Sequence, residues 1–502
     1  MTTTSVREPR RFRLSPVDRT GWMFGLGLVQ LLVIAVGVTL GAVAMVLVSP
    51  LAGVLVLAVA AGLGAARVGG ESVVGQLPLG AQWLKTRTRP PATWFEPVPL
   101  LGGDGDVSLP PPFEDLDVLI VDVAHLSLGP PGTRAVVTHD TRAETVAATL
   151  RVTGRQFSLV EPIEQEWLVD AWGRSIGAFV SERNPVVSVR WAQWAAPAGL
   201  DEHRTWLAEQ MAADPLDDVR AAYERLLREA GSHTTRHEVL VTVTLAVGKV
   251  RKKRDETDRL HAAVEALLTE LRLFGHRLEG SGLTVSGVLS PSEWARAMRL
   301  RLDPSQRMVL DTRSRSLGET AGATSPSNAM PSATTSTWSA WQTDGVWHRA
   351  LRVTEWPRLD VDAAWLSDLM LYAGCVRTMA VVLEPLSRSR SQRTVVRDSA
   401  KIESDAMHRA EKGFRVGAHH RRARQAVEER EEELVSGWGE FVYVGILVVT
   451  ASTLEDLDDA VAELTQITGS LGMETKPLHG RHDLAMVVTL PVARGVVPKE
   501  WL

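Results

Sequence analysis

The stretch FVYVGILVVTASTLEDLDDAVAELTQITGSLG, residues 441–472, predicts a strand followed directly by a helix. β-Branched and aromatic residues dominate its first eleven positions, as in a buried strand. Thr453 and Asp456 are spaced to form a capping box at the start of the helix. Apolar residues then mark one helical face, and they are Val461, Leu464 and Leu471. Gly472 follows them and is placed to end the helix.

An earlier part of the chain repeats this pattern. EVLVTVTLAV, residues 238–247, predicts a strand, and TDRLHAAVEALLTELRLFG, residues 257–275, predicts a helix that ends at Gly275. The apolar face of this helix has the spacing seen in the later helix, and its members are Val264, Leu267 and Phe274.

Each of these helices leads to a further apolar stretch. LTVSGVL, residues 283–289, and DLAMVVTLP, residues 483–491, both predict strands. A strand–helix–strand pattern that occurs twice predicts an α/β (α+β) fold built from ferredoxin-like βαβ units.

The N-terminal part of the chain has a different character. Residues 21–66 contain no Asp, Glu, Lys, Arg or His. The run is too long for a signal peptide and long enough for two membrane-spanning helices of about 20 residues each. We place these helices at about 22–43 and 46–66, with the turn near Ala44 and with Ser49-Pro50 as the alternative turn. GWMFG and GVTLG are small-xxx-small patterns, which favour close packing of two helices.

Basic residues flank this run on both sides. Those before it are Arg7, Arg10, Arg11, Arg13 and Arg19, and those after it are Arg67, Lys85, Arg87 and Arg89. Because Lys and Arg are retained on the cytoplasmic side, both termini are predicted to be cytoplasmic, with only the turn outside. The prediction is a two-helix protein of the inner (cytoplasmic) membrane, in contact with membrane lipids.

These patterns divide the chain into six parts. They are a basic cytoplasmic N-terminus (1–20), the transmembrane hairpin (21–66), an interfacial segment with a Pro/Gly-rich linker (67–116), a first cytoplasmic α/β region (117–310), a flexible linker (311–345), and a second cytoplasmic α/β region (346–502) with a long polar helix over 388–435.

Composition excludes some classes of protein. The formal net charge of the 502 residues is -5, which argues against direct nucleic-acid binding. Cys375 is the one cysteine in the sequence, so a disulfide-stapled module is excluded.

No group of residues forms a recognisable catalytic motif. The sequence has no phosphate loop, HExxH or CxxC pattern. We therefore predict a protein that is not an enzyme, with no catalytic, cofactor-binding or metal-ligating residues and no cofactor. Isolated candidates have simpler interpretations: a solvated turn for Asp104 and Asp106, a buried thiol for Cys375, and a polar helix for the histidines His408, His419 and His420. The tryptophans Trp167, Trp172, Trp191 and Trp194 are interpreted as core residues.

Two parts of the chain resemble known families. The basic start, the apolar hairpin and ARVGGESVVGQLPLGAQWLKTR, residues 66–87, resemble the PrgI family of inner-membrane subunits of Gram-positive conjugation and type IV secretion machines. The polar helix and the repeated strand–helix–strand segment resemble the N-terminal domain of the TrbE/CagE-type traffic ATPases. In that family, a Leu-Pro motif follows this segment shortly before the motor domain. Leu490-Pro491 matches it, whereas no motor follows in these 502 residues.

The resemblance implies a scaffold of a type IV secretion or conjugation-like system, of the kind found in actinobacteria. Its expected partners are a separate hexameric secretion ATPase, a polytopic inner-membrane channel subunit and a second copy of the chain. A type VII secretion membrane core component is the alternative, although it would lack the repeated segment and the polar helix. A membrane-tethered transferase that uses Asp104 and Asp106 is the second alternative.

Overall fold

The computed structural model defines most of the chain. The residues that it describes are 11–12, 14, 28–68, 71–72, 80–81, 83–85, 92–96, 109–123, 133–154, 157–197, 200, 203, 207, 217–231, 235–250, 256–321, 324–411 and 418–494.

Two apolar helices come first, α1 (Leu28–Leu47) and α2 (Pro50–Ala65). The turn between them lies at Val48 and Ser49, so the predicted turn near Ala44 is wrong and the Ser49-Pro50 alternative is correct. The Ser49 hydroxyl accepts a hydrogen bond from the Ala52 N–H at 3.2 Å, and Pro50 occupies the first turn, where its missing N–H costs nothing.

Glycines allow α1 and α2 to pack closely along their length. A Cβ at Gly41 would lie 2.7 Å from Leu57 Cγ, and one at Gly53 would lie 2.6 Å from Met45 Cβ. Gly37 faces Ala60 in the same way, which confirms the role predicted for GVTLG, whereas GWMFG lies outside the described residues. α1 is the one described helix that is long and apolar enough to cross a membrane by itself.

Short strands follow this helix pair. They are β1 (Arg67–Val68), β2 (Glu71–Ser72) and β3 (Ala92–Phe95). β1 pairs with β2, whereas β3 pairs with a strand far along the chain, so part of the predicted linker belongs to the main sheet.

The first half of the α/β body covers residues 116–321. Its strands are β4 (Leu116–Asp122), β5 (Arg134–Asp140), β6 (Thr145–Thr153), β7 (Val186–Pro197), β8 (Thr235–Ala246) and β9 (Thr284–Val288). Its helices are α3 (Pro162–Gly177), α4 (Asp217–Gly231), α5 (Glu256–Gly280), α6 (Pro291–Leu302) and α7 (Arg307–Ala321).

The second half covers residues 333–494. Its strands are β10 (Ala333–Ser336), β11 (Trp341–Thr343), β12 (Val346–Glu355), β13 (Val376–Pro385), β14 (Phe441–Ala451) and β15 (Glu474–Pro477). Its helices are α8 (Ser367–Leu371), α9 (Arg388–Glu411), α10 (Ala418–Val435), α11 (Leu454–Ser470) and α12 (His482–Thr489).

The two halves share one arrangement of strands. In the first half, β9 pairs with β6, β6 with β8, and β8 with β7, all antiparallel. In the second half, β15, β12, β14 and β13 pair in the same order. When only these four strands of each half are numbered along the chain, both orders are fourth, first, third, second. β7 and β13 then pair with each other, so the thirteen strands β3 to β15 form one mixed α/β body with a continuous sheet.

Helices cover both faces of this sheet. On one face, α3 and α5 pack on the first half, and α8 and α11 pack on the second half. On the other face, α6 and α12 bury a core that includes Trp294, Met298, Met486 and Val487 together with alternate strand residues of both halves. The two halves are therefore linked by side-chain packing as well as by the sheet.

The observed end of one helix agrees with the sequence prediction, and the end of the other differs from it. Gly472 has a φ of +75° and ends α11 as predicted, and the Thr453 hydroxyl caps that helix at the Asp456 N–H. The equivalent glycine of the first half is Gly282, with a φ of +84°, because α5 continues past Gly275 for more than one further turn.

Residues 483–491 were predicted to form a strand, and this prediction is wrong. The fourth strand of the second half is β15, and residues 482–489 form α12. This helix is buried on most of its sides, so its short apolar run lacks the periodicity that distinguishes a helix from a strand.

Two further predictions differ from the structure. The region 311–345, predicted as a flexible linker, contains the end of α7 and the strands β10 and β11, which extend the sheet beyond β12. The long helix predicted over 388–435 is two helices, α9 and α10, and Arg430 Nη1 on α10 lies 3.2 Å from Asp398 Oδ2 on α9.

A larger side chain at the α1–α2 contact is expected to separate the two helices. In a Cys375→Ser background, cysteines at Ile34 and Gly64 should oxidise to a disulfide because these positions face each other. Gly41→Val should lower the yield of this disulfide severalfold, because the new side chain would overlap Leu57. The yield is measured by protection from maleimide labelling. Gly62→Val is the matched control, since a Cβ there meets no atom within 4 Å, and equal yields for both variants would contradict the observed packing.

Candidate docking site around the C-terminal strap

Residues 490–494, the C-terminal strap, cross from the second half of the body to the first. α12 ends at Thr489, and Pro491 prevents the helix from continuing. Leu490, Val492 and Ala493 are fully buried. The segment that follows the last helix is therefore held in the interior of the body.

Arg190 on β7 holds the strap through backbone carbonyls. Its guanidinium donates to the carbonyl of Leu490, to that of Val492 at 2.9 Å and to that of Arg494 at 3.2 Å. The side chain is 0% exposed, and burial lowers its pKa to about 9, so it stays cationic at neutral pH. Three convergent carbonyl dipoles stabilise this charge in the interior.

Other side chains of the first half fix the remaining strap atoms. Trp294 Nε1 donates to the carbonyl of Pro491 at 2.8 Å, and Thr145 Oγ1 donates to that of Ala493 at 3.0 Å. Arg494 Nε donates a hydrogen bond to Asp140 Oδ2 at 3.2 Å. This contact fixes the outer end of the strap. Contacts with the first half therefore hold the strap from Leu490 to Arg494.

An ion-pair network lies beside this region. Glu238 on β8 pairs with Arg301 at 2.7 Å and with Arg151 at 3.0 Å, and Arg151 pairs with Glu293 at 2.6 Å. Glu293 also belongs to the capping box of α6, together with Ser290. The network fixes α6 on the sheet, and with it Trp294, one of the contacts of the strap.

Two buried histidines fix the second half near the start of α12. His348 contacts Thr343 Oγ1 at 2.6 Å through Nε2 and Thr450 Oγ1 at 2.8 Å through Nδ1. His482 Nδ1 accepts the Ala350 N–H at 3.2 Å, which ties α12 to β12. Burial lowers the pKa of His348 to about 4 and, with the nearby charges of His479 and Arg349, that of His482 to about 3.

None of the residues considered as reactive from sequence is among the described strap contacts. Asp104 and Asp106 lie outside the described residues, as do the side chains of His408, His419 and His420. Cys375 is buried, and burial raises its pKa to about 11, so its sulfur is held as a thiol rather than as a nucleophilic thiolate. Among the described side chains, no group of three or more His, Cys, Asp or Glu residues is placed to hold a metal ion.

The tryptophan prediction is confirmed at three positions out of four. Trp194 is buried, and Trp172 and Trp191 pack against the cores, whereas Trp167 is 49% exposed. The strap contacts were missed altogether. The one sequence signal was a charged residue, Arg190, in a strand whose other residues are mostly apolar.

Comparison with known proteins gives no relative: no protein-family model matches the chain, and no curated protein matches it at a significant level.

Removing the Arg190 guanidinium should loosen the strap. Arg190→Met leaves three strap carbonyls without their donor, and we expect a loss of about 3 kcal/mol in the free energy of unfolding. Urea unfolding followed by tryptophan fluorescence measures this loss. Arg174→Met, at an exposed position on α3, is the matched control and should have a negligible effect. Equal stability of the two variants would show that Arg190 does not hold the strap.

Acid should destabilise the body through His348 and His482. Their pKa values in the folded state lie below the ordinary value of 6.5, so the unfolded chain binds protons first as the pH falls. The free energy of unfolding should therefore fall as the pH drops from about 6.5 to about 4, and urea midpoints across this range measure it. Replacing both histidines with Asn should flatten the dependence, whereas His261→Asn at an exposed site should not. An unchanged slope in the double variant would contradict this assignment.

Proposed function

We propose that the protein is a non-catalytic scaffold, anchored in the inner membrane, of a type IV secretion or conjugation-like system. It docks a separate hexameric traffic ATPase to a polytopic channel subunit. The observation that carries this proposal is the pairing of two unlike parts in one chain: an apolar helix pair, and a large α/β body with a repeated strand order. Docking requires rigid surfaces rather than a reactive site, and the buried strap holds the two halves of the body rigidly together.

The helix pair supports membrane anchoring. Its outward-facing side chains are apolar and exposed, and they include Leu32, Val36, Leu40, Leu51, Val54 and Leu55. At 1.5 Å per residue, α1 is about 30 Å long and α2 about 24 Å, compared with a bilayer core of about 30 Å. We propose that both helices cross, that α2 is accommodated by local thinning of the bilayer, and that both chain termini are cytoplasmic.

The repeated strand order supports two ferredoxin-like units. A fourth–first–third–second antiparallel order, with helices after the first and third strands, is the arrangement expected of such a unit. In this proposal α3 and α5 belong to the first unit, and α8 and α11 to the second. The repeat also favours the type IV interpretation over a type VII core component, for which no such repeat is expected.

The strap supports the docking role. Leu490-Pro491 is the pair that resembles the motif before the motor domain of the TrbE/CagE-type ATPases. Here Arg190 and Trp294 of the first half hold this pair, although it follows the last described helix of the second half. A motor that docks beside the outer end of the strap would therefore contact both halves at once.

Recovery of partners from native membranes tests the proposal. The tagged full-length chain is purified in mild detergent, and the proteins that accompany it are identified by mass spectrometry, with the untagged chain as the control. We expect a chain with a phosphate-loop motor and a polytopic channel subunit of the type IV class. Recovery of type VII core subunits would favour the alternative, and recovery of neither machine would contradict the scaffold role.

A further inference from the structure

The N-terminal segment is fixed to the second half of the body. The Phe12 N–H donates to the Val361 carbonyl at 2.8 Å, and the Val361 N–H donates back to the Phe12 carbonyl at 3.0 Å. Leu14 packs against the core beneath α8 and α11. Phe12 is thus attached to the connection between β12 and β13, and Leu14 to the core of the second half.

The short distance along the sequence limits where this connection can lie. Six residues separate Leu14 from Gly21, where the charge-free run begins. A fully extended chain spans at most about 3.5 Å per residue, so Leu14 lies within about 25 Å of the start of that run. If the run enters the bilayer, the Phe12–Val361 contact must lie close to the membrane surface.

The connection presents side chains suited to a lipid interface. Leu359, two residues before Val361, is 80% exposed, and the neighbouring Arg358 is also exposed, although its guanidinium pairs with Glu355. Arg11 is exposed beside the bridge and belongs to the basic N-terminal segment. An exposed apolar side chain among arginines is favourable at the headgroup level of an anionic membrane. Asp360 and Asp362 lie in the same connection, so apolar contact by Leu359 is the main attraction expected from the loop itself.

We propose that the loop Arg358–Val361 rests on the cytoplasmic surface of an anionic bilayer and, with the Phe12 bridge, sets the orientation of the α/β body against the membrane. This proposal rests on the proposed membrane insertion of α1 and α2. It assigns the β12–β13 connection to the membrane side and leaves the opposite side of the body for protein partners.

Fluorescence quenching in vesicles tests this orientation. The full-length chain carries Cys375→Ser and one new cysteine labelled with an environment-sensitive fluorophore, and it is reconstituted into vesicles of 70% phosphatidylcholine and 30% phosphatidylglycerol. Leu359→Cys reports the loop. Leu159→Cys is the matched control, since it is a leucine of the first half with 79% exposure. Val36→Cys, at the middle of α1, reports insertion of the helix pair.

Lipids with a spin label near the headgroup should quench the label at 359 at least twofold more than the label at 159. Lipids with a spin label deep in the acyl chains should quench the label at 36. Equal quenching at 359 and 159, with position 36 quenched, would overturn the orientation and leave the membrane anchor intact. No quenching at 36 would overturn the anchor itself, and this proposal with it.

A variant that breaks the Phe12–Val361 bridge tests whether the bridge holds the loop 358–361 against the membrane. Phe12→Pro removes the N–H that donates to Val361 and should reduce the quenching at 359 about twofold, with no change at 36. Ser5→Pro, seven residues earlier, is the control and should change neither signal. Unchanged quenching at 359 in Phe12→Pro would overturn the role of the bridge in orienting the body.

Discussion

The antiparallel pairing of β7 with β13 is the contact on which the rest of the body depends. Seven residue pairs join the strands, from Arg377 opposite Ala195 to Leu383 opposite Val189. Each half alone would expose a long apolar edge strand whose backbone groups lack partners. Pairing satisfies both edges at once and makes the cores continuous, so Trp191 packs against the core of each half.

A charge at this junction determines the path of the last described residues. Arg190 lies on β7 and faces the core shared by both halves, where an unpaired guanidinium would be costly. The strap supplies carbonyl oxygens in place of a carboxylate. The strap of the second half is therefore bound to β7 of the first half. This contact holds the two halves together independently of the sheet.

The helix pair and the α/β body are packed differently. This difference agrees with the proposal that the pair folds in a bilayer and the body in water. In the body, apolar side chains are removed from water and polar ones are paired. In the pair, the outward surface stays apolar, and close contact depends on glycines such as Gly37 and Gly41. The Phe12–Val361 bridge connects the basic N-terminal segment to the body.

Local patterns were sufficient for features that depend on neighbouring residues. The strand over 441–451, the capped helix after it and the glycine contact of GVTLG were read correctly, because periodicity, caps and small residues act within a few positions. Other features depend on residues far apart in sequence. The pairing of β7 with β13, the helical state of residues 482–489 and the carbonyl oxygens around Arg190 arise only when distant segments meet. A short apolar run has the same local pattern in a strand and in a buried helix, and the partner that buries it decides between them.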